Sequence, residues 1–210
     1  MTVRVSVAVM AHPAREEVAE TLARNVGARV TWDRHRDEWE TGSRALAAYD
    51  RFATHHIVLQ DDAVPVPEFR RHAAAAIAQH PDSLISFYLG RSRPPHVQRR
   101  IIRATLAADE RRAAWISDDR LLHGVGIALP IGDIDALLEW CRIRNLPYDD
   151  RIGTWYRAQR RKVMYTWPSL VDHADTETLV RHLDGQARDQ PRVAWRTGTA
   201  DTWSTEVIPL

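Results

Sequence analysis

Three strand patterns separated by two helical ones occupy the first 62 residues, with no turn signal that would fold one strand directly back on the next. Residues 3–10 alternate valines with small or polar residues and stop at Ala11-His12-Pro13, as a strand entering a loop does. Residues 15–26 carry Val18, Ala19, Leu22 and Val26 at helical spacing, and Gly27 stands where a helix ends. A short strand (28–32), a charged loop (33–40), a helical stretch (42–52) and an apolar strand (56–59) follow, the last running into Gln60-Asp61-Asp62. This β-α-β-α-β order restricts the chain to an α/β fold: a mostly parallel central sheet flanked by helices and joined by right-handed crossovers. Such sheets gather ligands beyond the carboxyl ends of their strands. His12, Asp33 and Asp61-Asp62 all fall at such ends.

Downstream, the pattern gives helices at 67–79, 133–142 and 150–160, and strands at 84–89 and 162–166. Trp115 and Ile116 start a further strand, and residues 121–129 hold Gly124 and Gly126 ahead of Pro130. From Thr176 onward the chain is polar and is expected to be irregular, although Trp195 and Trp203 there need something to pack on. A length of 210 residues suits one domain with a terminal appendage. The net charge of +1 removes any global electrostatic case for nucleic acid or membrane. Cys141 is alone, which excludes an intramolecular disulfide and a thiolate zinc cluster within one chain. With no signal-peptide pattern and no run near the ~20 apolar residues of a membrane helix, the expectation is a cytoplasmic protein without a membrane partner.

The strand-terminal acidic pair has a definite chemical use. Carboxylates hold a hard divalent cation, Mn²⁺ or Mg²⁺, which neutralises a diphosphate and acts as a Lewis acid. In Gln60-x-Asp62 two side chains fall on one side of an extended segment and Asp61 on the other. Asp62 is therefore the better metal ligand, with Asp61 or Gln60 reaching hydroxyls. An acidic turn ahead of Pro65 accounts for the doublet equally well when it is taken alone. His173, in Pro-Ser-Leu-Val-Asp-His, is a candidate further ligand for a Mn-like ion; singly, it reads as a surface histidine. Asp149-Asp150 forms a second acidic pair ahead of a helix. One of the two is expected to cap that helix and the other to serve as general base. Asp150 is favoured as base and Asp149 as cap or acceptor contact, with the reverse order left open.

Taken together, these segments resemble the GT-A glycosyltransferases. Val58-Leu59-Gln60-Asp61-Asp62-Ala63 resembles their "DxD" region, and residues 123–130 resemble the glycine-containing strand that lines the donor-sugar pocket. Pro147-Tyr148-Asp149-Asp150 with Gly153-Thr154-Trp155 is similar to the later motif holding the base, and residues 168–173 are similar to the closing segment whose histidine completes the metal site. The resemblance runs in order over residues 3–175 and departs from the common pattern at Gln60, where an acidic residue often stands. It implies a single GT-A-like domain over 1–175, with a Rossmann-like nucleotide-binding half (1–64) and an acceptor and sugar half (65–175). It also implies transfer of a hexosyl or pentosyl group from a nucleotide-sugar, a UDP-sugar favoured, to a hydroxyl. By the same resemblance Ala11 and His12 border the base, Asp33 meets uracil or ribose, Arg44 approaches the nucleotide, and Gln60, Asp61 and Gly124 line the donor. A solvated ion pair accounts slightly better for Asp33 or Arg44 taken singly. Compact members of this kind are met in bacteria and bacteriophages, where a modified DNA base is one acceptor class beside glycans.

Between Gly90 and Leu106 there is no Asp or Glu, while Arg91, Arg93, Arg99, Arg100 and Arg103 lie there. Arg91, Arg93 and Arg99 are candidate contacts for an acidic acceptor, DNA phosphates included. In the tail, Arg181, Arg188, Arg192 and Arg196 are interspersed with the tryptophans, so residues 176–210 either close over the donor or form a disordered or self-packing tail. Two other functions compete: a non-catalytic nucleic-acid-binding protein using residues 91–103, and a metal-dependent phosphoester hydrolase using the carboxylates to activate water.

Overall fold

The alternating apolar runs become the strands β1 (Val5–Ala11), β2 (Arg29–Trp32), β3 (His55–Gln60), β4 (Ala63–Pro65) and β5 (Leu84–Ser86). They continue with β6 (Trp115–Asp118), β7 (Gly126–Pro130), β8 (Val163–Thr166), β9 (Val171–His173) and β10 (Val207–Pro209). The helices are α1 (Glu16–Val26), α2 (Glu38–Ala47), α3 (Phe69–Ile77), α4 (Gln98–Arg111), α5 (Ile131–Cys141) and α6 (Tyr148–Ala158). The computed structural model describes residues 2–174, 190–200 and 202–210. Arg181 and Arg188 lie outside the described residues. Among those described, no helix is long and apolar enough to cross a membrane.

Eight strands form one mixed sheet in the order β10-β6-β8-β5-β7-β3-β1-β2, and β4 and β9 form a second, two-stranded one. The expected α/β architecture is present, and the segments read as strands at 3–10, 56–59 and 84–89 all contribute to the large sheet. Side-chain alternation assigns the faces. Val7, Val9, Ile57 and Leu59 pack with Leu22, Val26, Phe69 and Ile77 of α1 and α3. Ala8, Met10 and Val58 pack on the other face with residues of α2, α4, α5 and α6, including Leu46, Ile101, Ile134 and Ile152.

Strand direction is less uniform than the N-terminal alternation implies. The pairs β1–β2, β1–β3, β5–β8 and β10–β6 are parallel, whereas β7 runs antiparallel to both β3 and β5, and β6 antiparallel to β8. Gly126 suits β7 to this central position. A Cβ there would stand 3.0 Å from Leu59 and 3.3 Å from Val171.

The described part of the tail is not irregular throughout. Trp195 donates its backbone N–H to Leu89 O, Arg91 N–H is bound by Val193 O, and Gly198 N–H by Ser169 O. Trp203 packs on Trp115 with ring centroids 5.0 Å apart, and Arg196 pairs with Asp109 at 2.6 Å while lying over the Trp167 ring. The last strand escapes a sequence reading because it is only three residues long; its partner, Trp115–Ser117 on β6, lies ninety residues upstream. Ile208 is buried. Ile208→Ala is therefore expected to lower the free energy of unfolding by about 2–5 kcal/mol, as for a core aliphatic, measured by urea denaturation. A change within experimental error would mean that the C-terminal strand contributes nothing to the core.

Candidate functional site

β3 delivers two carboxylates in succession to the edge where β1 also ends, and both Asp61 and Asp62 are buried. Past them the chain turns into β4, which pairs antiparallel with β9 so that Ala63 faces His173. Ala174 N–H donates to Asp62 O at 2.8 Å and extends this short ladder. The register puts His173 Nε2 3.3 Å from Asp62 Oδ2. Two residues more than a hundred positions apart are thus brought together by three residues of strand pairing.

The β1 end supplies the opposite charge. Pro13–Arg15 forms a 3₁₀ turn capped by His12, whose Nδ1 accepts the Ala14 N–H. That turn aims Arg15 Nη1 at Asp61 Oδ1 (2.8 Å) and Asp62 Oδ2 (2.6 Å). His12 N–H donates to the other Asp61 oxygen at 2.8 Å. Burial raises the Asp61 carboxyl above its ordinary value despite these partners. Burial pushes Asp62 the same way, but His173 and Arg15 outweigh it and hold Asp62 below the usual carboxylate value. Adjacent carboxylates therefore differ in character: Asp61 is fixed by β1, while Asp62 stays readily ionised beside a histidine.

A polar cluster extends from this pair. Tyr88 packs edge-on against His123 at 5.0 Å and lies 6.2 Å from the His173 ring. Burial, reinforced by the charge of His173, pushes His123 down to about 3, so it is neutral at ordinary pH. Asp62 Oδ1, His123 Nε2 and His173 Nδ1 are buried without a hydrogen-bond partner. Among the described residues no group of three or more His, Cys, Asp or Glu forms a ready-made metal site. Asp62 with His173 is a two-residue donor set. A carboxylate and an imidazole are donor types suited to a Mn-like ion, and Asp62 Oδ1 and His173 Nδ1 are without hydrogen-bond partners.

The second acidic pair reaches the same sheet edge through glycines. Gln60 N–H donates to Val125 O at 2.9 Å, so residues 124–125 lie beside the end of β3. The Tyr148 ring fills the space against Gly42 and Gly124: a Cβ would approach it to 2.4 Å at Gly42 and 2.9 Å at Gly124. Tyr148 opens α6, and Asp149 follows it, partly buried and close to Gly124. Burial, with the charges of Glu38 and Asp150, pushes Asp149 up to about 7. Glu38, in the first turn of α2, faces the Tyr148 backbone N–H; burial raises its carboxyl too. Asp150 points outward and is exposed. Neither aspartate caps α6: Pro147 holds the cap position, and Asp149 Oδ1 accepts the Asp150 N–H instead.

Of the residues singled out in the sequence, the fold brings Ala11, His12, Gln60, Asp61, Asp62, Gly124, Asp149 and His173 to this edge. Asp33 starts nearby, its N–H donating to Ala11 O, but its Oδ1 accepts the N–H groups of His35 and Arg36 and organises the charged loop. Arg44 is committed to Glu40 through two hydrogen bonds and to Trp32 O, bracing α2 against β2. Arg91 and Arg99 are exposed, Arg93 is partly buried, and Arg100 contacts Asp118 at 3.6 Å. Arg15, Glu38, Tyr88 and His123 went without roles in the sequence. The one available signal was Arg15, a cation four residues past the end of a strand in an α/β pattern. An open groove lined by Val18, Leu22, Val64 and Phe69 runs between α1 and the β4–α3 connection, and none of Asp61, Asp62, Asp149 and His173 lines it. Compared with known proteins, the chain matches no family model and no curated protein.

The Asp149 shift carries a stability consequence. Its carboxyl has a value near 7 in the fold against an ordinary 3.8. Between these values the folded protein keeps a proton that the unfolded chain has lost, so ionised Asp149 destabilises the fold above pH 7 and costs nothing below pH 3.8. Asp149→Asn is expected to match the wild type in melting temperature at pH 4 and to exceed it at pH 8. Each kcal/mol recovered corresponds to about 2–4 °C for a chain of this size. Equal melting temperatures at pH 8 would show that the carboxylate ionises there without strain.

Proposed function

We propose that the protein is a nucleotide-sugar-dependent glycosyltransferase of the GT-A type, transferring a sugar to a hydroxyl acceptor. The observation that carries this is the meeting, at one edge of the sheet, of two acidic centres with opposite electrostatic settings. Asp62 with His173 and Arg15 forms a charge-rich corner suited to a diphosphate. Asp149, beside Gly124 and raised towards neutrality, suits proton transfer.

Asp62 and His173 would hold a divalent cation, which supplies Lewis-acid neutralisation of the leaving diphosphate. His12, Gln60 and the backbone at residues 124–125 line the approach to this corner. Asp149 takes the base role in preference to Asp150, because Asp150 is exposed and faces away. Its carboxylate accepts the acceptor hydroxyl's proton as the new bond to the sugar forms, which corresponds to inversion at the anomeric carbon. Glu38 keeps Asp149 poised by adding negative charge nearby. Arg91, Arg99 and Arg103 are exposed on α4 and the loop before it, a cationic face for an acidic acceptor, DNA included. A UDP-sugar is the first donor to test.

The experiment is a donor screen with UDP-, GDP- and dTDP-sugars, with and without Mn²⁺, read by thermal shift and then by turnover with and without acceptor. Selective stabilisation by one nucleotide-sugar is expected, about 2.7 kcal/mol at a hundredfold excess over its dissociation constant. Asp62→Asn is expected to remove the Mn²⁺-dependent part of that stabilisation. Asp149→Asn is expected to lower turnover by about 10²–10⁴-fold with donor affinity nearly unchanged. Because the base must be ionised, kcat/KM is expected to rise with pH through about 7 and then level off, and Glu38→Gln moves that limb to lower pH. Donor consumption independent of any acceptor would identify a hydrolase, and no nucleotide-sugar binding at all would reject the transferase.

A further inference from the structure

The helix dipole makes a first turn a poor place for cations, yet Arg99 and Arg100 stand in the first turn of α4, which holds no acidic residue. Arg103 follows Arg99 at a spacing of four, where like charges on a helix repel. Arg100 is answered by Asp118 at 3.6 Å. Arg91, Arg99 and Arg103 are exposed, and none of them forms an ion pair among the described residues. Helix stability does not account for their placement.

The loop that carries Arg91 is braced. Gln98 Nε2 donates to Gly90 O at 3.2 Å and to Arg93 O at 2.8 Å, and Ser92 Oγ donates to Pro191 O at 3.1 Å. The loop also starts at the candidate site: a Cβ on Gly90 would stand 2.8 Å from Tyr88 Oη and 3.1 Å from the His123 ring. The cationic face ends at Leu106 and Glu110, both exposed. A fixed row of unpaired guanidinium groups suits phosphates along a backbone, whatever the net charge of the whole chain. Single-stranded nucleic acid would call for exposed rings on which bases stack. Trp195, which donates to Gln98 Oε1, is partly buried, and the strongly exposed Phe52 lies at the opposite end of β3 from the site. We propose that Arg91, Arg99 and Arg103 bind the phosphate backbone of duplex DNA, without regard to sequence, and so hold it alongside the candidate site. This contact stands apart from sugar transfer; only the further step, that DNA is the acceptor, rests on the transferase reading.

The test is fluorescence anisotropy of a labelled duplex of about 20 base pairs with the full chain, between about 50 and 200 mM salt. Three phosphate contacts give a slope of about −2.7 for log K against log salt, so affinity is expected to fall roughly 40-fold over that range. Arg91→Gln, Arg99→Gln and Arg103→Gln are each expected to weaken binding on every sequence tried and to lessen the slope by about 0.9. Arg29→Gln, at an exposed arginine on the edge strand β2, is expected to leave binding unchanged. No binding at the lowest salt would overturn the proposal, as would a slope indifferent to the three substitutions or lessened equally by Arg29→Gln. A single strand bound more tightly than the duplex would make the bases the ligand. Displacement of the duplex by polyglutamate at equal charge would make the partner an acidic protein. Either result overturns the assignment to duplex DNA. Duplex binding with no nucleotide-sugar binding leaves this face standing and rejects the transferase. Nucleotide-sugar binding with no duplex binding rejects this face alone.

Discussion

Two neighbouring carboxylates removed from water need positive partners or shared protons, because burial penalises the ionised form heavily. Asp61 and Asp62 meet that requirement through three groups from two places: Arg15 and the His12 N–H at the end of β1, and His173 on β9. The position of each depends on a ladder register. The β1–β3 register sets Met10 opposite Gln60, so the two strands end side by side. The β4–β9 register sets Ala63 opposite His173. A slip of one residue in either ladder would turn the partner side chains to the other face and leave a buried carboxylate unpaired. Strand pairing and site electrostatics therefore constrain one another.

That mutual dependence explains what the sequence could and could not reveal. The N-terminal strands and helices were legible because apolar periodicity and Gly27, which adopts a left-handed conformation at φ 62°, are local signals. Asp62 and His173 could be named as candidates from residue type, but no local signal links positions more than a hundred residues apart, and their meeting follows from the β4–β9 register. The antiparallel insertion of β7 between β3 and β5 follows from pairing choices that periodicity does not encode. For Asp33 and Arg44 the sequence left two readings open, because side-chain type alone does not say whether a polar group faces a ligand or its own surroundings. Asp33 organises a turn, and Arg44 braces a helix. Arg15 was hidden for the converse reason: it sits where a helix was expected to begin, and its partners lie forty-six residues and more away.

The two acidic centres illustrate how surroundings divide one side-chain type between tasks. Asp62 and Asp149 are both removed from water to a degree, and burial pushes both upward. A histidine and an arginine reverse the effect at Asp62. At Asp149 the neighbours, Glu38 and Asp150, are acidic and reinforce it. One carboxylate is therefore suited to permanent negative charge and the other to exchanging a proton near neutrality. Tyr148 makes this arrangement rigid. Its ring lies against Gly42 on α2 and Gly124 in the loop before β7, both positions that would crowd it if they bore a methyl group. The glycines thus act on Asp149 through the packing of its neighbour.

Some of the costs left in the fold fall at the same edge. Native interiors leave few polar atoms without partners, because each costs about 1–3 kcal/mol. Here Asp62 Oδ1, His123 Nε2, Tyr148 Oη and His173 Nδ1 are all buried and unpaired. Asp62, His173 and His123 adjoin the first acidic centre, and Tyr148 carries the second. An apolar packing of the same volume would be more stable, so these atoms are not explained by the stability of the fold. A ligand that brings cationic charge to Asp62 and hydrogen-bonding groups to the imidazoles would recover much of that cost on binding. By the same linkage, the protein would be measurably more stable with its ligand than without it. Thr41, His80, Trp115, Asp118 and Thr166 also carry unpaired buried atoms, so the atoms at this edge bear on ligand binding only in combination with the opposed charges of Asp62 and Arg15 beside them.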